Sequence, residues 1–158
     1  MKGGNEMTYI ETLGSNAVKV KKILAVADTG KKNAALAEIS RALIENSDKI
    51  IEANQKDLAA AKENGMSVSM QDRLMLNEDR IKGIASAVDE LIKLEDPIGK
   101  VDNGSVRPNG MRITKIRVPM GVIGMIYESR PNVTADAATL CLKTGNAVIL
   151  RGGKEAYN

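Results

Sequence analysis

The segment 118–153 constrains the fold of this chain more than any other part of it. It holds two short apolar runs, Gly121–Tyr127 and Ala147–Leu150. Between them lies Val133–Thr144, which has the length of a helix and is followed by Gly145. Apolar strands on either side of a helix are typical of a β-α-β unit, and strands this uniformly apolar are usually buried on both faces of a parallel sheet.

Polar residues follow each of the two predicted strands. Glu128–Asn132 comes after the first and Arg151–Glu155 after the second. Ligands of parallel sheets bind beyond the carboxyl ends of the strands. The sequence therefore predicts the functional site at these two segments.

The part of the chain before Asp96 predicts helices. Apolar residues between Ile10 and Ala27 recur at steps of three and four, as in an amphipathic helix. Further helices are predicted over about 32–45, 48–63, 69–74 and 78–94. The residues predicted to cap or end these helices are Ser47 and Asn77 as N-caps and Gly30 and Gly65 as C-terminal glycines.

A β-hairpin is predicted over residues 99–118. Pro108–Asn109–Gly110 supplies the turn, because Asn-Gly is favoured in tight hairpins. We interpret Met111–Arg117 as alternating apolar and polar side chains, which predicts one covered face and one wet face. Since an isolated hairpin is only marginally stable, it needs a partner. That partner is either its own domain or another subunit, and the sequence leaves both open.

Composition excludes several classes of function. The chain has 158 residues, 43% hydrophobic and 27% charged, as in a globular domain, and no apolar run approaches a membrane span. Its net charge is +3, but basic and acidic residues are interleaved and aromatic residues make up only 2%. Neither nucleic-acid nor membrane binding is therefore expected. With no histidine and one cysteine, no metal site is predicted, and a reducing cytoplasm fits.

The longest motif is YESRPNVTADAATLCLKTGNAVILRGGKEA, residues 127–156. It resembles the gamma-glutamyl phosphate reductase family, which is part of the aldehyde dehydrogenase superfamily. The resemblance continues upstream through PNGMRITKIRVPMGVIG at 108–124 and, more loosely, through ANQKDL at 53–58 and QDRLML at 71–76. Members of this family are much longer than this chain, so the resemblance implies an amino-terminal portion.

The resemblance implies an α/β fold of the aldehyde dehydrogenase type. Residues 1–98 would form the N-terminal helical part of the cofactor domain, and 99–118 a β-hairpin arm that joins subunits into a homo-oligomer. Residues 119–158 would form the first β-α-β unit of a parallel, Rossmann-like cofactor sheet, which is incomplete here. The catalytic cysteine domain would lie outside this chain.

The same resemblance implies a cytoplasmic enzyme of proline biosynthesis that uses NADPH. A cysteine thiolate would displace phosphate from L-glutamyl 5-phosphate, and hydride transfer to the thioester would release L-glutamate 5-semialdehyde. The nucleophile and the glycine loop for the cofactor pyrophosphate belong to downstream motifs, so this chain alone is expected to be inactive. Two alternatives stay open: another aldehyde dehydrogenase-type oxidoreductase, and a non-enzymatic helical module with a β arm that acts in assembly.

Site residues follow by position in the matched motif. Asn132 is a candidate N-cap and, by resemblance, the catalytic donor to the substrate oxyanion; the two interpretations are compatible. The resemblance implies that Arg151 binds the 2′-phosphate of the cofactor, with Lys154 as a second candidate, because a guanidinium suits a phosphate; the residues alone favour a plain surface arginine at this position. Gly152 and Gly153 would let the backbone approach the cofactor closely.

Four further residues of this segment need an interpretation. Ser129 and Arg130 are implied to line the substrate side, where Arg130 would meet a carboxylate or phosphate; loop geometry before Pro131 explains them equally well. Glu128 has no feature beyond that of an exposed loop carboxylate. Cys141 lies among aliphatic residues of the predicted helix, so it is interpreted as core and not as the nucleophile.

Overall fold

The computed structural model describes residues 8–128 and 130–158. These residues form six α-helices and four β-strands. The helices are α1 (Tyr9–Ala25), α2 (Thr29–Glu45), α3 (Ser47–Glu63), α4 (Val68–Leu74), α5 (Glu78–Lys93) and α6 (Asn132–Lys143). The strands are β1 (Val101–Val106), β2 (Arg112–Ile116), β3 (Val122–Ile126) and β4 (Ala147–Arg151).

The predicted β-α-β unit is present. β3 and β4 pair in parallel, with Val122 opposite Ala147 and Ile126 opposite Arg151, and α6 connects them. The expectation that both strands are buried is wrong for this chain. β3 is half-buried to exposed, and Ile126 is 78% exposed, because α1 and α6 pack mainly against β4 and leave β3 largely uncovered.

A buried asparagine at the start of β4 sets the register of this pair. The Asn146 side chain is 3% exposed. Its Oδ1 accepts from the backbone N–H of Gly121 at 2.7 Å, and its Nδ2 donates to the backbone carbonyl of Thr144 at 3.1 Å. The Ala147 N–H then donates to the Gly121 carbonyl at 2.9 Å. These bonds tie the α6–β4 turn to the beginning of β3.

The apolar core lies among α2, α5 and α6. Its most buried side chains are Leu36 at 0%, Ile81 at 1%, Val88 at 2% and Ala137 at 3% exposure. On α5, Ile81 and Val88 are seven residues apart, so this helix buries one stripe. This packing seats α6, and therefore the segment before it, on the N-terminal helices.

Two buried lysines also connect these helices. The Lys143 ammonium, at the end of α6, donates to Asn33 Oδ1 at 2.8 Å and to the Ile92 carbonyl at 3.1 Å. The Lys32 ammonium on α2 pairs with the Asp96 carboxylate that follows α5. Burial would by itself raise the pKa of Asp96, but hydrogen bonds from Lys32, the Ile98 N–H and the Thr29 hydroxyl hold it below its usual value.

The predicted helix ends are confirmed at two positions and wrong at two others. Asn77 caps α5, because its Oδ1 accepts from the Arg80 N–H at 2.8 Å. Gly65 ends α3 with a φ of +72°. Gly30 does not end α1 but lies in the first turn of α2, which Asp28 caps instead. Ser47 is the first residue of α3, and the N-cap position is Asn46, whose Nδ2 donates back to the carbonyl of Ala42.

The hairpin forms as predicted, but neither face is covered. β1 and β2 are antiparallel, and the turn glycine Gly110 has a φ of +84°. Every residue of both strands is exposed, so the predicted covered face of β2 is absent from this chain. Ile113 and Ile116 are three residues apart and therefore point to opposite faces of the strand.

Candidate functional site

The polar segments that follow β3 and β4 lie at one edge of the parallel pair. The Tyr127 N–H donates to the carbonyl of Arg151 at 3.1 Å, which extends the ladder by one bond. Glu128 and Arg130 then leave one strand, and Gly152 to Lys154 leave the other. The sequence thus located the edge correctly, because parallel strands end on the same side.

Tyr127 organises this edge, and sequence reasoning assigned it no role. Its hydroxyl and the Thr134 hydroxyl are 2.5 Å apart, which links the end of β3 to the first turn of α6. A Cβ added to Gly152 would lie 3.4 Å from the Tyr127 hydroxyl oxygen. The ring therefore fills the side of Gly152 that a side chain would occupy. The sequence did carry a signal for this residue: Tyr127 ends an apolar run and is one of only three aromatic residues in the chain.

Asn132 is the first residue of α6, with Pro131 in the N-cap position. The N-cap interpretation is therefore wrong: Asn132 Nδ2 donates to the carboxylate of Asp136 at 2.9 Å instead. An amide nitrogen carries two N–H groups, so one donor remains available to a ligand. Asp136 was missed, although its spacing of four residues from Asn132 is a helix-face signal.

Asn132 opens onto a cavity between α4, α5 and α6, which we call the Asn132 cavity. Its volume is about 390 Å³. The residues that line it are Arg73, Met75, Leu76, Arg80, Gly83, Ile84, Ala87, Asn132 and Asp136. Apolar walls with a few polar groups are typical of small-molecule sites. The amide predicted as an oxyanion donor thus lines a space large enough for a small ligand.

The remaining predicted residues lie around this edge. Arg151 is exposed, and its Nη1 is a long 3.5 Å from the carbonyl of Gly152. Gly153 packs against Glu155 and the backbone of Glu128. Lys154 is exposed at a separate cavity of about 680 Å³ beside α3. The structure therefore places Lys154 and Asn132 on different cavities.

A buried carboxylate holds the segment after β4 against α3. Asp57 is 7% exposed and accepts from the Asn158 backbone N–H at 3.2 Å and from its Nδ2 at 2.7 Å. Asp57 and Asn158 line the same cavity as Lys154. The chain segment that carries the proposed cofactor residues is thus anchored at its far end.

Arg130 and Glu128 line a cavity of about 270 Å³, which we call the Arg130 cavity. Met70, Arg73, Tyr127 and Val133 complete its wall. Ser129, predicted beside them, lies outside the described residues. Glu128 and Arg130 therefore share one small space.

Cys141 faces the core. It is 5% exposed within α6, and burial raises the pKa of its thiol. A thiol in such surroundings is a poor nucleophile. Among residues 8–128 and 130–158, no cluster of three or more metal-ligating side chains forms. Over the same ranges, no helix is long and apolar enough to cross a membrane.

Comparison with solved structures defines the class of fold. A putative aldehyde dehydrogenase from Bacillus subtilis superposes with a TM-score of 0.66 at 21% identity, over 93% of this chain and 30% of that chain. At that identity the likeness concerns the fold alone. The described residues therefore have part of the aldehyde dehydrogenase fold.

Closer matches identify the family. The crystal structure of gamma-glutamyl phosphate reductase from Thermotoga maritima has a TM-score of 0.91 and 42% identity, covering 94% of this chain and 36% of that one. The Saccharomyces cerevisiae enzyme of the same name has a TM-score of 0.92 and 37% identity, covering 97% of this chain and 39% of that one. These structures confirm the predicted incomplete α/β fold.

Curated sequences agree with the structures. The gamma-glutamyl phosphate reductase of Clostridium perfringens is 57% identical over 145 residues, 92% of this chain and 35% of the relative. The gamma-glutamyl phosphate reductase of Caldanaerobacter subterraneus subsp. tengcongensis is 53% identical over 149 residues, which are 94% of this chain and 36% of the relative. No protein-family model matches the chain. Nearly the whole chain is thus homologous to gamma-glutamyl phosphate reductases, and it spans just over a third of their length.

Proposed function

We propose that this chain supplies one wall of the active site of a cytoplasmic gamma-glutamyl phosphate reductase. That enzyme would reduce L-glutamyl 5-phosphate to L-glutamate 5-semialdehyde and phosphate with NADPH, in proline biosynthesis. The observation that carries the proposal is the Asn132 amide, which begins the helix that follows β3 and lines a cavity between α4, α5 and α6. Homology to reductases over more than nine tenths of the chain supports the same activity.

Asn132 would donate its second amide N–H to the carbonyl oxygen of the acyl substrate. The bond to Asp136 fixes the amide, so the donor is oriented before charge develops on the oxygen. A preorganised donor of this kind stabilises a tetrahedral oxyanion more than it stabilises the ground state. Asp136 acts through Asn132 and is a positioning residue.

Arg151 and Lys154 would bind the 2′-phosphate of NADPH. Both side chains are exposed, and neither forms an ion pair with another residue in the described ranges. These cations therefore fit an anionic ligand. The cofactor, when bound, supplies the hydride. Gly152 and Gly153 would let the backbone approach the cofactor on the sides that Tyr127 and Glu155 do not occupy.

Arg130, with Ser129 beside it in the sequence, would line the substrate side. Its guanidinium lies on the Arg130 cavity, next to the Asn132 cavity. A carboxylate or phosphate of the substrate would pair with it bidentately. The loop position before Pro131 suits this role, because the pyrrolidine ring restricts the backbone of Arg130.

The hairpin would join subunits into a homo-oligomer through residues 99–118. In support, both strands are fully exposed in the single chain, with apolar side chains on their surface. A two-stranded ribbon without a core is marginally stable by itself. Pairing with a second subunit would bury these side chains.

The chain by itself would be inactive. Its sole cysteine, Cys141, is buried with a raised pKa and does not line the Asn132 cavity. A thiolate nucleophile would have to come from the remaining length of the parent enzyme. Reduction of the acyl phosphate by the pure 158-residue chain would contradict this view.

Calorimetric titration with NADPH and NADH tests the cofactor assignment. We expect the chain to bind NADPH more tightly than NADH, and Arg151→Ala to lose at least about tenfold in NADPH affinity, since a charged hydrogen bond contributes about 1.5–3 kcal/mol. NADH affinity should stay nearly unchanged. Arg112→Ala on the exposed hairpin is the matched control, because it removes the same charge away from the edge.

A different result would favour one of the alternatives. Equal loss of NADPH affinity in Arg151→Ala and Arg112→Ala would reject a 2′-phosphate site at Arg151. Self-association of a folded chain without nucleotide affinity would favour the assembly module, which the exposed hairpin also fits. Turnover of a different aldehyde by the full-length enzyme would favour another oxidoreductase of the same fold.

A further inference from the structure

Arg73 lies where the two cavities of the substrate side meet. It belongs to the last turn of α4, a helix on which sequence reasoning placed no site residue. Its side chain lines the Asn132 cavity of about 390 Å³ and also the Arg130 cavity of about 270 Å³. Arg73 is thus shared by the linings of the two cavities that contain Asn132 and Arg130.

The charged side chains around Arg73 differ in whether they have a partner within the protein. In the Asn132 cavity, Arg80 is held by its own neighbours: Nη1 donates to the carbonyl of Met75 at 2.9 Å, and Nη2 pairs with the Asp72 carboxylate at 2.8 Å. The Asp136 carboxylate in the same cavity accepts from the Asn132 amide. Arg80 is therefore already paired with a carboxylate, whereas Asp136 is hydrogen-bonded to a neutral amide and keeps its negative charge.

Arg73, in contrast, has no ion pair with any carboxylate among residues 8–128 and 130–158. Arg73 is exposed and lines the cavity, and a guanidinium carries five N–H donors. In the Arg130 cavity, Glu128 offers a negative charge, but Arg130 lines the same small space and opposes it. Arg73 is therefore the arginine of the Asn132 cavity that has no carboxylate partner among the described residues.

We propose that Arg73 binds the phosphoryl group of the acyl phosphate substrate, beside the Asn132 amide. This inference rests on the proposed function and assigns the residue that selects the phosphorylated substrate. In an acyl phosphate the phosphoryl group is bonded through oxygen to the same carbonyl carbon whose oxygen would accept from Asn132. The two recognition groups must then lie in one cavity, and Arg73 and Asn132 do.

Geometry favours the phosphoryl end over the α-carboxylate. In L-glutamyl 5-phosphate the α-carboxylate is separated from the reacting carbonyl by a chain of three carbons, whereas the phosphoryl group is adjacent to it. Arg130, on the neighbouring cavity, is better placed for the more distant anion. A planar guanidinium also binds two phosphoryl oxygens at once, which a lysine ammonium does not do.

Titration with inorganic phosphate, followed by the backbone amide resonances of α4 and α6, tests the assignment. We expect saturable shifts at Arg73 and Asn132 in the wild-type chain. Arg73→Gln should bind phosphate at least about tenfold more weakly, in line with the loss of charged hydrogen bonds. Arg73→Lys should give an intermediate affinity, because lysine keeps the positive charge but lacks the planar guanidinium that binds two phosphoryl oxygens at once.

Arg112→Gln on the hairpin is the matched control for the loss of one charge and should bind phosphate as the wild type does. Three results would overturn the assignment: no saturable phosphate binding to the folded wild-type chain, equal weakening in Arg73→Gln and Arg112→Gln, or weakening of L-glutamate binding without weakening of phosphate binding. The last result would place the α-carboxylate at Arg73.

The same variants separate this inference from the proposed function. Arg73→Gln should leave NADPH affinity unchanged, because Arg73 does not line the cavity that holds Lys154. If NADPH binding depends on Arg151 but phosphate binding does not depend on Arg73, only the Arg73 assignment fails. If phosphate binds through Arg73 while Arg151→Ala leaves NADPH binding unchanged, the cofactor assignment fails and the anion site stands.

Discussion

Single side chains at the carboxyl edge are held by partners one turn away in the helix or in the neighbouring segment. Asn132 is bonded to Asp136, and Tyr127 to Thr134. Such partners restrict the rotamers of the groups that face a ligand, so less conformational entropy is lost on binding. The motif identified Asn132 from its position, but the partner that orients it became evident only from the helix geometry.

Asp96 predicts a pH dependence of stability. Its pKa is lowered in the folded state although burial opposes this, because Lys32, the Ile98 N–H and the Thr29 hydroxyl all stabilise the carboxylate. Its contribution to stability is therefore present above the unfolded aspartate pKa of about 3.9 and is lost as pH falls through the lower folded pKa. Chemical denaturation between neutral pH and acid should show this loss.

Asp96→Asn should remove that dependence and lower the free energy of unfolding at neutral pH by about 3 kcal/mol, because it leaves the buried Lys32 ammonium without its counter-charge. Asp89→Asn, on the exposed side of α5, is the control and should change stability by less than about 0.5 kcal/mol. An Asp96→Asn variant with the same stability and the same acid profile as the wild type would show that this pair contributes nothing.

At the scale of secondary-structure elements, two glycines end helices under different constraints. Gly65 after α3 and Gly145 after α6 have φ values of +72° and +68°. A Cβ on Gly65 would meet no atom within 4 Å. A Cβ on Gly145 would lie 3.0 Å from Pro119 Cγ and 3.2 Å from the Leu24 carbonyl oxygen. Gly145 thus serves the turn and also the packing of α1 against it.

Alanine substitutions should separate the two effects. Gly65→Ala should cost about 1 kcal/mol in the free energy of unfolding, which is the strain of a left-handed backbone alone. Gly145→Ala should cost about 2–4 kcal/mol, because close contact with Pro119 and Leu24 adds to that strain. Urea denaturation of both variants measures the difference. Equal losses would mean that the α1 contact yields without cost.

At the scale of the whole molecule, the sequence predicted most of the helices and strands but not which strand faces are covered. The β-α-β unit, the helices and the hairpin turn are marked by local signals: apolar runs, helical periodicity and Asn-Gly. Exposure of β2 and β3 depends on what covers them, which no local pattern records. For the same reason the motif pointed to Asn132 and Arg151 but not to Arg73, since Arg73 and Asn132 line one cavity only once α4, α5 and α6 have come together around it.

The exposed hairpin allows a test of whether this chain self-associates through its β arm. Ile113 is 42% exposed on one face of β2. If the arm joins subunits through that face, Ile113→Lys should shift the chain toward the monomer in sedimentation velocity at matched concentrations, because a buried charge would oppose the contact. Thr114→Lys, on the opposite face of the strand, is the control. A wild-type chain that stays monomeric at every concentration tested would contradict an arm-mediated assembly.

The contact between Tyr127 and Gly152 gives this protein an optical reporter at the candidate site. The chain has no tryptophan, and its other two tyrosines, Tyr9 and Tyr157, are 77% and 87% exposed. The asymmetric environment that produces a near-ultraviolet circular dichroism band therefore belongs chiefly to the ring of Tyr127. Ligands that move the segment after β4 will change that band, and their occupancy becomes measurable without a label.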